Sequence, residues 1–133
     1  MRYLLDTNIL SNITKPEPSA SLLTWMAEQV DDDLFIASLT IAEIHRGILE
    51  KPAGKKRAAL ETWFRGKEGP QSLFAGRILP FDEKAALVTG RPRSALDTIV
   101  AAIAQSNNCV VVTDNVRDFQ GIEIINPLRT SAI

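Results

Sequence analysis

Cys109-Val110-Val111-Val112-Thr113 is a continuous run made almost entirely of β-branched residues. It lacks the polar–apolar alternation of a half-exposed strand, as expected of a parallel strand covered on both faces. Just before it, Ser94 to Ser106 reads as a strongly apolar helix with Leu96, Ile99, Val100 and Ile103. Further out, Tyr3-Leu4-Leu5, Leu34-Phe35-Ile36-Ala37, Ile78-Leu79-Pro80-Phe81 and Ile122 to Ile125 are the other strand candidates. Ile9 to Ile13, Ala20 to Val30, Thr40 to Glu50 and Lys55 to Phe64 read as helices. Leu22, Leu23, Trp25 and Met26 mark the buried side of the second helix, and Leu60, Trp63 and Phe64 that of the fourth. Strands alternating with helices predict an α/β fold with a parallel sheet covered on both sides. In such sheets ligands bind beyond the carboxyl ends of the strands, which directs attention to Asp6 and to Thr113 through Asp118.

The chain has 133 residues, 45% hydrophobic and 23% charged, which suits one domain over 1–133 with a core of its own. Cys109 is the only cysteine, so an internal disulfide and a cysteine-built metal site are both excluded, and a reducing, cytoplasmic setting is the simplest expectation. The apolar stretch at the N-terminus is too short for a signal peptide. No segment approaches the roughly 18 apolar residues that span a bilayer. A net charge of −1 conceals a basic segment, in which Lys51, Lys55, Lys56, Arg57, Arg65 and Lys67 face only Glu61. A basic rim around an acidic pocket is compatible with that total.

The acids have ordinary explanations when taken singly. Asp6 ends the first strand and can cap the helix after it, although Thr7 and Asn8 are placed to do so too. Thr40-Ile41-Ala42-Glu43 and Ser94-Ala95-Leu96-Asp97 both match the capping-box pattern. Asp114, Asn115 and Asp118 are all good turn residues. Yet Asp97 leads an apolar helix, and a carboxylate near a core must be paired or bound to a cation. Carboxylates gathered without His or Cys suit hard ions such as Mg²⁺ and Mn²⁺.

Several motifs occur in a fixed order: Leu4-Leu5-Asp6-Thr7-Asn8-Ile9-Leu10-Ser11; Ser38-Leu39-Thr40-Ile41-Ala42-Glu43-Ile44 with Gly47-Ile48; Leu96-Asp97-Thr98-Ile99-Val100-Ala101-Ala102-Ile103-Ala104; Val112-Thr113-Asp114-Asn115-Val116-Arg117-Asp118-Phe119; and Asn126-Pro127. Together, over residues 3 to 127, they resemble the PIN domain, and within it the VapC/FitB-like toxins of prokaryotic toxin–antitoxin pairs. The resemblance implies a Rossmann-like three-layer α/β/α fold with a short, mostly parallel central sheet. It also implies a metal-dependent endoribonuclease whose Asp6, Glu43 and Asp97 bind Mg²⁺ or Mn²⁺. Asp118 is a further catalytic and metal candidate, with Asp114 and Asn115 competing for that place. Thr7, Asn8, Thr113 and Asn115 would support the site. The implied partners are RNA, a cognate antitoxin whose C-terminal segment wraps the domain, and a second copy of the chain. Leu22, Trp25 and Met26 are candidates for the dimer face, and the helices from Thr40 to Phe64 for the antitoxin groove.

One stretch departs from the family pattern. Glu83 to Val88 is brief, and Thr89-Gly90-Arg91-Pro92-Arg93 leads straight to Ser94 where a full helix and loop are usual. Arg91 and Arg93 are candidate RNA-phosphate contacts, a solvated basic loop being equally consistent. His45, the only histidine, neighbours Glu43, but adjacent helical residues point about 100° apart, which favours a structural role. Trp25, Trp63, Phe64 and Phe74 could stack bases, though their spacing favours packing. Two readings compete with the nuclease. A Rossmann-like phosphatase or phosphotransferase would use Asp6 as nucleophile, but needs an Asp where Asn8 stands and a lysine motif not found here. A non-catalytic PIN-like binding module would not need all three core acids.

Overall fold

The computed structural model describes residues 1–13, 17–88, 95–119 and 121–128. Five parallel strands form one sheet: β1 (Arg2–Leu5), β2 (Leu34–Ala37), β3 (Ile78–Leu79), β4 (Cys109–Val112) and β5 (Ile124–Ile125), in the order β3-β2-β1-β4-β5. β1 lies at the centre, pairing Leu5 with Val112 of β4 and Leu4 with Phe35 of β2. The chain builds outward to one side through β2 and β3, then returns to the other side of β1 for β4 and β5. That reversal makes the carboxyl ends of β1 and β4 the topological switch point, where α/β sheets form their crevice.

Alternate side chains on the central strands feed two cores, one on each face of the sheet. Leu4 and Val111 join Val100, Ala101, Ile103 and Phe119. Leu5 and Val112 join Ile9, Leu10, Leu22, Ile36 and Phe74 on the other face. Two-sided burial explains why β4 carries no polar alternation: Val111 and Val112 are both fully inaccessible to solvent.

The helices are α1 (Thr7–Ile13), α2 (Ala20–Ala27), α3 (Ser38–Leu49), α4 (Lys55–Arg65), α5 (Pro70–Leu73), α6 (Glu83–Ala86) and α7 (Ala95–Ser106), with short 3-10 turns at Asp31–Asp33 and Val116–Phe119. Several boundaries differ from the sequence expectation. α1 begins at Thr7, so Thr7 and Asn8 lie inside its first turn and Asp6 holds the cap position, its carbonyl accepting from the Ile9 and Leu10 amides. α3 begins at Ser38, directly from β2, with Ala37 as an N-cap that offers no side chain. Glu43 therefore sits in the second turn and is not the acid of a capping box. α6 is a single turn whose Asp82 carboxylate accepts from the Ala85 amide, in keeping with the brevity expected there. β3 and β5 are two residues each, shorter than the runs around them suggested.

Leu22 is fully buried, Trp25 and Met26 pack against the same core, and Trp25 meets Tyr3 edge-on at 5.0 Å. Full burial withdraws Leu22 from the dimer face that the sequence suggested, while Trp25 and Met26 are half-buried. Arg91 and Arg93 lie outside the described residues. No described helix is long and apolar enough to cross a membrane.

Candidate active site at the switch point

Asp6 follows β1 without a break, and its backbone amide still donates to the Val112 carbonyl, extending the β1–β4 ladder by one residue. Its carboxylate is thereby fixed above the sheet and only 9% exposed. One oxygen accepts from the Thr7 amide at 2.9 Å and the other from the Thr113 hydroxyl at 2.9 Å. Thr113, 0% exposed at the end of β4, in turn accepts from the Asn115 amide at 2.9 Å. The two strand ends are thus tied by side chains as well as by the sheet.

Burial pushes the Asp6 carboxyl above its ordinary value. The hydrogen bonds from Thr113 and Thr7 oppose this, and the negative charges of Glu43 and Asp97 push it up further. All three acids therefore share one electrostatic neighbourhood, although 91 residues of chain separate Asp6 from Asp97. Glu43 is held from the α1 side, where the Thr7 hydroxyl donates to it at 2.8 Å and stands 3.3 Å from that of Thr40. Thr40 is 1% exposed, so a hydroxyl that the sequence offered as a helix cap is a buried part of the site wall. Asp97 lies in the first turn of α7, where the helix dipole favours a negative charge.

Outside this trio the polar residues pair with one another. The Asn8 amide donates to Asp114 at 3.3 Å, and the Asn115 amide donates to Asp118 in the 3-10 turn. Glu43 and Asp97 are the neighbouring charges that push the Asp6 carboxyl up. Among the described residues no three acidic, histidine or cysteine side chains converge tightly enough to enclose an ion. In kind the donors fit a hard divalent cation, since the carboxylates of Glu43 and Asp97 lie near enough to the buried Asp6 for their charges to act on it. His45 lies flat on Phe64, ring centres 5.1 Å apart, which gives it the packing role expected of it.

Thr113→Val tests how far this network positions Asp6. The substitution keeps the shape but strips one Asp6 oxygen and the Asn115 amide of their partner. Turnover is expected to fall about 10–100-fold, the scale for losing a group that orients a ligand. The protein should remain folded, as read from its near-ultraviolet circular dichroism.

A parallel three-layer sheet with an acidic switch point defines a class of α/β proteins that gather carboxylates at the strand ends. The comparisons narrow that class. The model of the PIN domain matches residues 3–124. The VapC ribonuclease Y4jK of Sinorhizobium fredii is 33% identical, over 93% of this chain and 96% of its own. The toxin FitB of Neisseria gonorrhoeae is 32% identical over the same shares. The crystal structure of FitAcB from Neisseria gonorrhoeae superposes with a TM-score of 0.87 at 29% identity, covering 96% of this chain and 99% of that one. The chain belongs to the PIN domain family.

Proposed function

We propose that the chain is a metal-dependent endoribonuclease that acts as the toxin of a toxin–antitoxin pair, in a cytoplasmic setting. The observation that carries the reading is that the charges of Glu43 and Asp97 both act on a buried, doubly hydrogen-bonded Asp6. Its relatives include a named VapC ribonuclease and a named toxin, and structures that resemble it pair such a protein with an antitoxin and DNA. Asp6, Glu43 and Asp97 would hold Mg²⁺ or Mn²⁺, with Asp118 as the outer candidate. Such an ion supplies positive charge at a phosphodiester and a water acidified enough to attack at neutral pH.

The chain's own residues supply position and charge. Thr113 and Thr7 keep Asp6 in one orientation, and Thr7 does the same for Glu43. Asp97 stands in the first turn of α7, which packs on the face of the sheet opposite to α1. Asn8, Asp114, Asn115 and Asp118 form a polar rim in which each amide is already paired with a carboxylate. The phosphatase alternative loses ground here, since Asn8, which stands where that chemistry needs an acid, spends its amide on Asp114.

A larger groove of about 740 Å³ runs between α1, α4 and α5, past Leu10, Ile13, Leu60, Trp63, Pro70 and Leu73. It meets the expected antitoxin surface, the helices from Thr40 to Phe64, only along α4, and its mostly apolar lining, which also includes Lys51, Lys56 and Glu68, suits a protein segment there. A second copy of the chain is the other expected partner.

The deciding experiment is purification free of antitoxin, followed by incubation with RNA and DNA in Mg²⁺, Mn²⁺ or EDTA. RNA cleavage should require a divalent ion and disappear in EDTA. Cleavage that survives EDTA, or that is unchanged in Asp97→Asn, sinks the mechanism.

A further inference from the structure

Beside the acids lies a smaller cleft of about 340 Å³. It begins at Thr7 and Glu43, follows α3 past Gly47 to Lys51, and is walled on α4 by Leu60 and Trp63. A Cβ on Gly47 would meet nothing within 4 Å, so this part of the wall stands open. The volume is at the small end of ligand sites, below what a helix about 10 Å across fills.

Among the described residues Glu43 and Lys51 are the only charged ones lining the cleft, Glu43 on α3 and Lys51 just beyond its end. Nearby arginines are neutralised within their own helices: Arg46 by Glu50 at 3.1 Å and Arg57 by Glu61 at 3.0 Å. Lys51 has no carboxylate within ion-pair distance among the described residues. The aromatic groups sort in the same way. Trp25 is engaged by Tyr3 and Phe64 by His45, and Phe74 is buried in the core. Trp63 is half-buried, lines the cleft, and has no ring partner among the described residues.

We propose that this cleft seats one nucleotide of a single-stranded RNA, beside the phosphate held at the acids. Its base stacks on the Trp63 indole and its own phosphate meets the Lys51 ammonium. The inference rests on the ribonuclease reading and adds where the strand runs. An unpaired cation and an unpaired aromatic face in one cleft are the two elements from which single-strand sites are built. The cleft shares Leu10, Lys51, Leu60 and Trp63 with the larger apolar groove, so the two cavities adjoin.

The test uses the antitoxin-free chain and a short labelled RNA, with EDTA present to prevent cleavage. Trp63→Ala should weaken binding about 5- to 100-fold, with most of the affinity retained in Trp63→Phe. RNA should quench the wild-type tryptophan emission, and the Trp63→Phe protein should lose that quenching. Lys51→Ala should lower the salt dependence of binding by about one charge, with Lys51→Arg restoring it. On cleavable RNA these variants should raise KM with little change in kcat. Should Trp63→Ala fail to fold, Lys51→Ala, at an exposed position just beyond α3, decides alone. Unchanged RNA affinity in the folded variants overturns the inference, and if they lose antitoxin binding instead, the cleft is a protein-docking site. A wild-type protein that neither binds nor cuts RNA overturns the ribonuclease reading as well, which separates the two failures.

Discussion

Asp6→Asn is expected to cut RNA cleavage by on the order of 10²–10³-fold, the scale for removing one preorganised electrostatic group from a reacting centre. The same change should stabilise the metal-free protein at neutral pH. Burial raises the folded-state pKa of Asp6 above the ordinary 3.8 of the unfolded chain. Between those two values the folded protein binds more protons than the unfolded one, so stability falls as pH rises through the window. Asp6 therefore favours the fold fully only below about its unfolded pKa, and once ionised it is a burden that asparagine lacks. Melting of the metal-free proteins should place Asp6→Asn above wild type at pH 7, with the gap closing as pH falls towards 4. Divalent ions should raise the melting temperature of wild type and leave that of the variant nearly unchanged. An Asp6→Asn protein that keeps its activity, or that melts lower at pH 7, contradicts the electrostatic account of the site.

Phe119→Ala should be the most damaging change away from the acids. Phe119 is the largest fully buried side chain among the described residues, and it packs the 3-10 turn at Val116–Phe119 against α7. Removing a buried phenyl ring costs about 3–5 kcal/mol, a large share of the 5–15 kcal/mol that holds an ordinary domain together. Urea denaturation should show a midpoint shift of that size with little change in slope. The Asn115–Asp118 contact depends on the same turn, so residual folded protein should also lose activity. A variant with near wild-type stability would mean that the turn does not anchor the core.

Much of this was legible in the sequence, for reasons that differ by element. β4 and α7 were readable because each carries a continuous apolar pattern that a buried strand or helix satisfies, and β1 because its short apolar run ends at Asp6. The start of α3 was misread because Thr40 and Glu43 imitate a capping box, while the actual cap, Ala37, has no side-chain signal and is set by the strand before it. α5 went unnoticed, though Pro70 at its first position is a recognised start signal. Asp6, Glu43 and Asp97 were each ambiguous until the fold brought their charges together. Thr40 could not have been placed in the site wall from its neighbours, since its partner Thr7 lies 33 residues away. Lys51 and Trp63 were visible as types, but only the packing of α3 against α4 distinguishes them from Lys55 or Phe64.

The pairing of β1 with β4 also bears on how the protein is born. The Thr113–Asp6 hydrogen bond joins residues 107 apart, and the central strand has no β4 neighbour until Val112 has left the ribosome. Chains lengthen by roughly 5–20 residues per second, so seconds of synthesis pass with the acids of the first half made and no site to use them. The acidic site can therefore close only after the second half of the sheet has been added to the first.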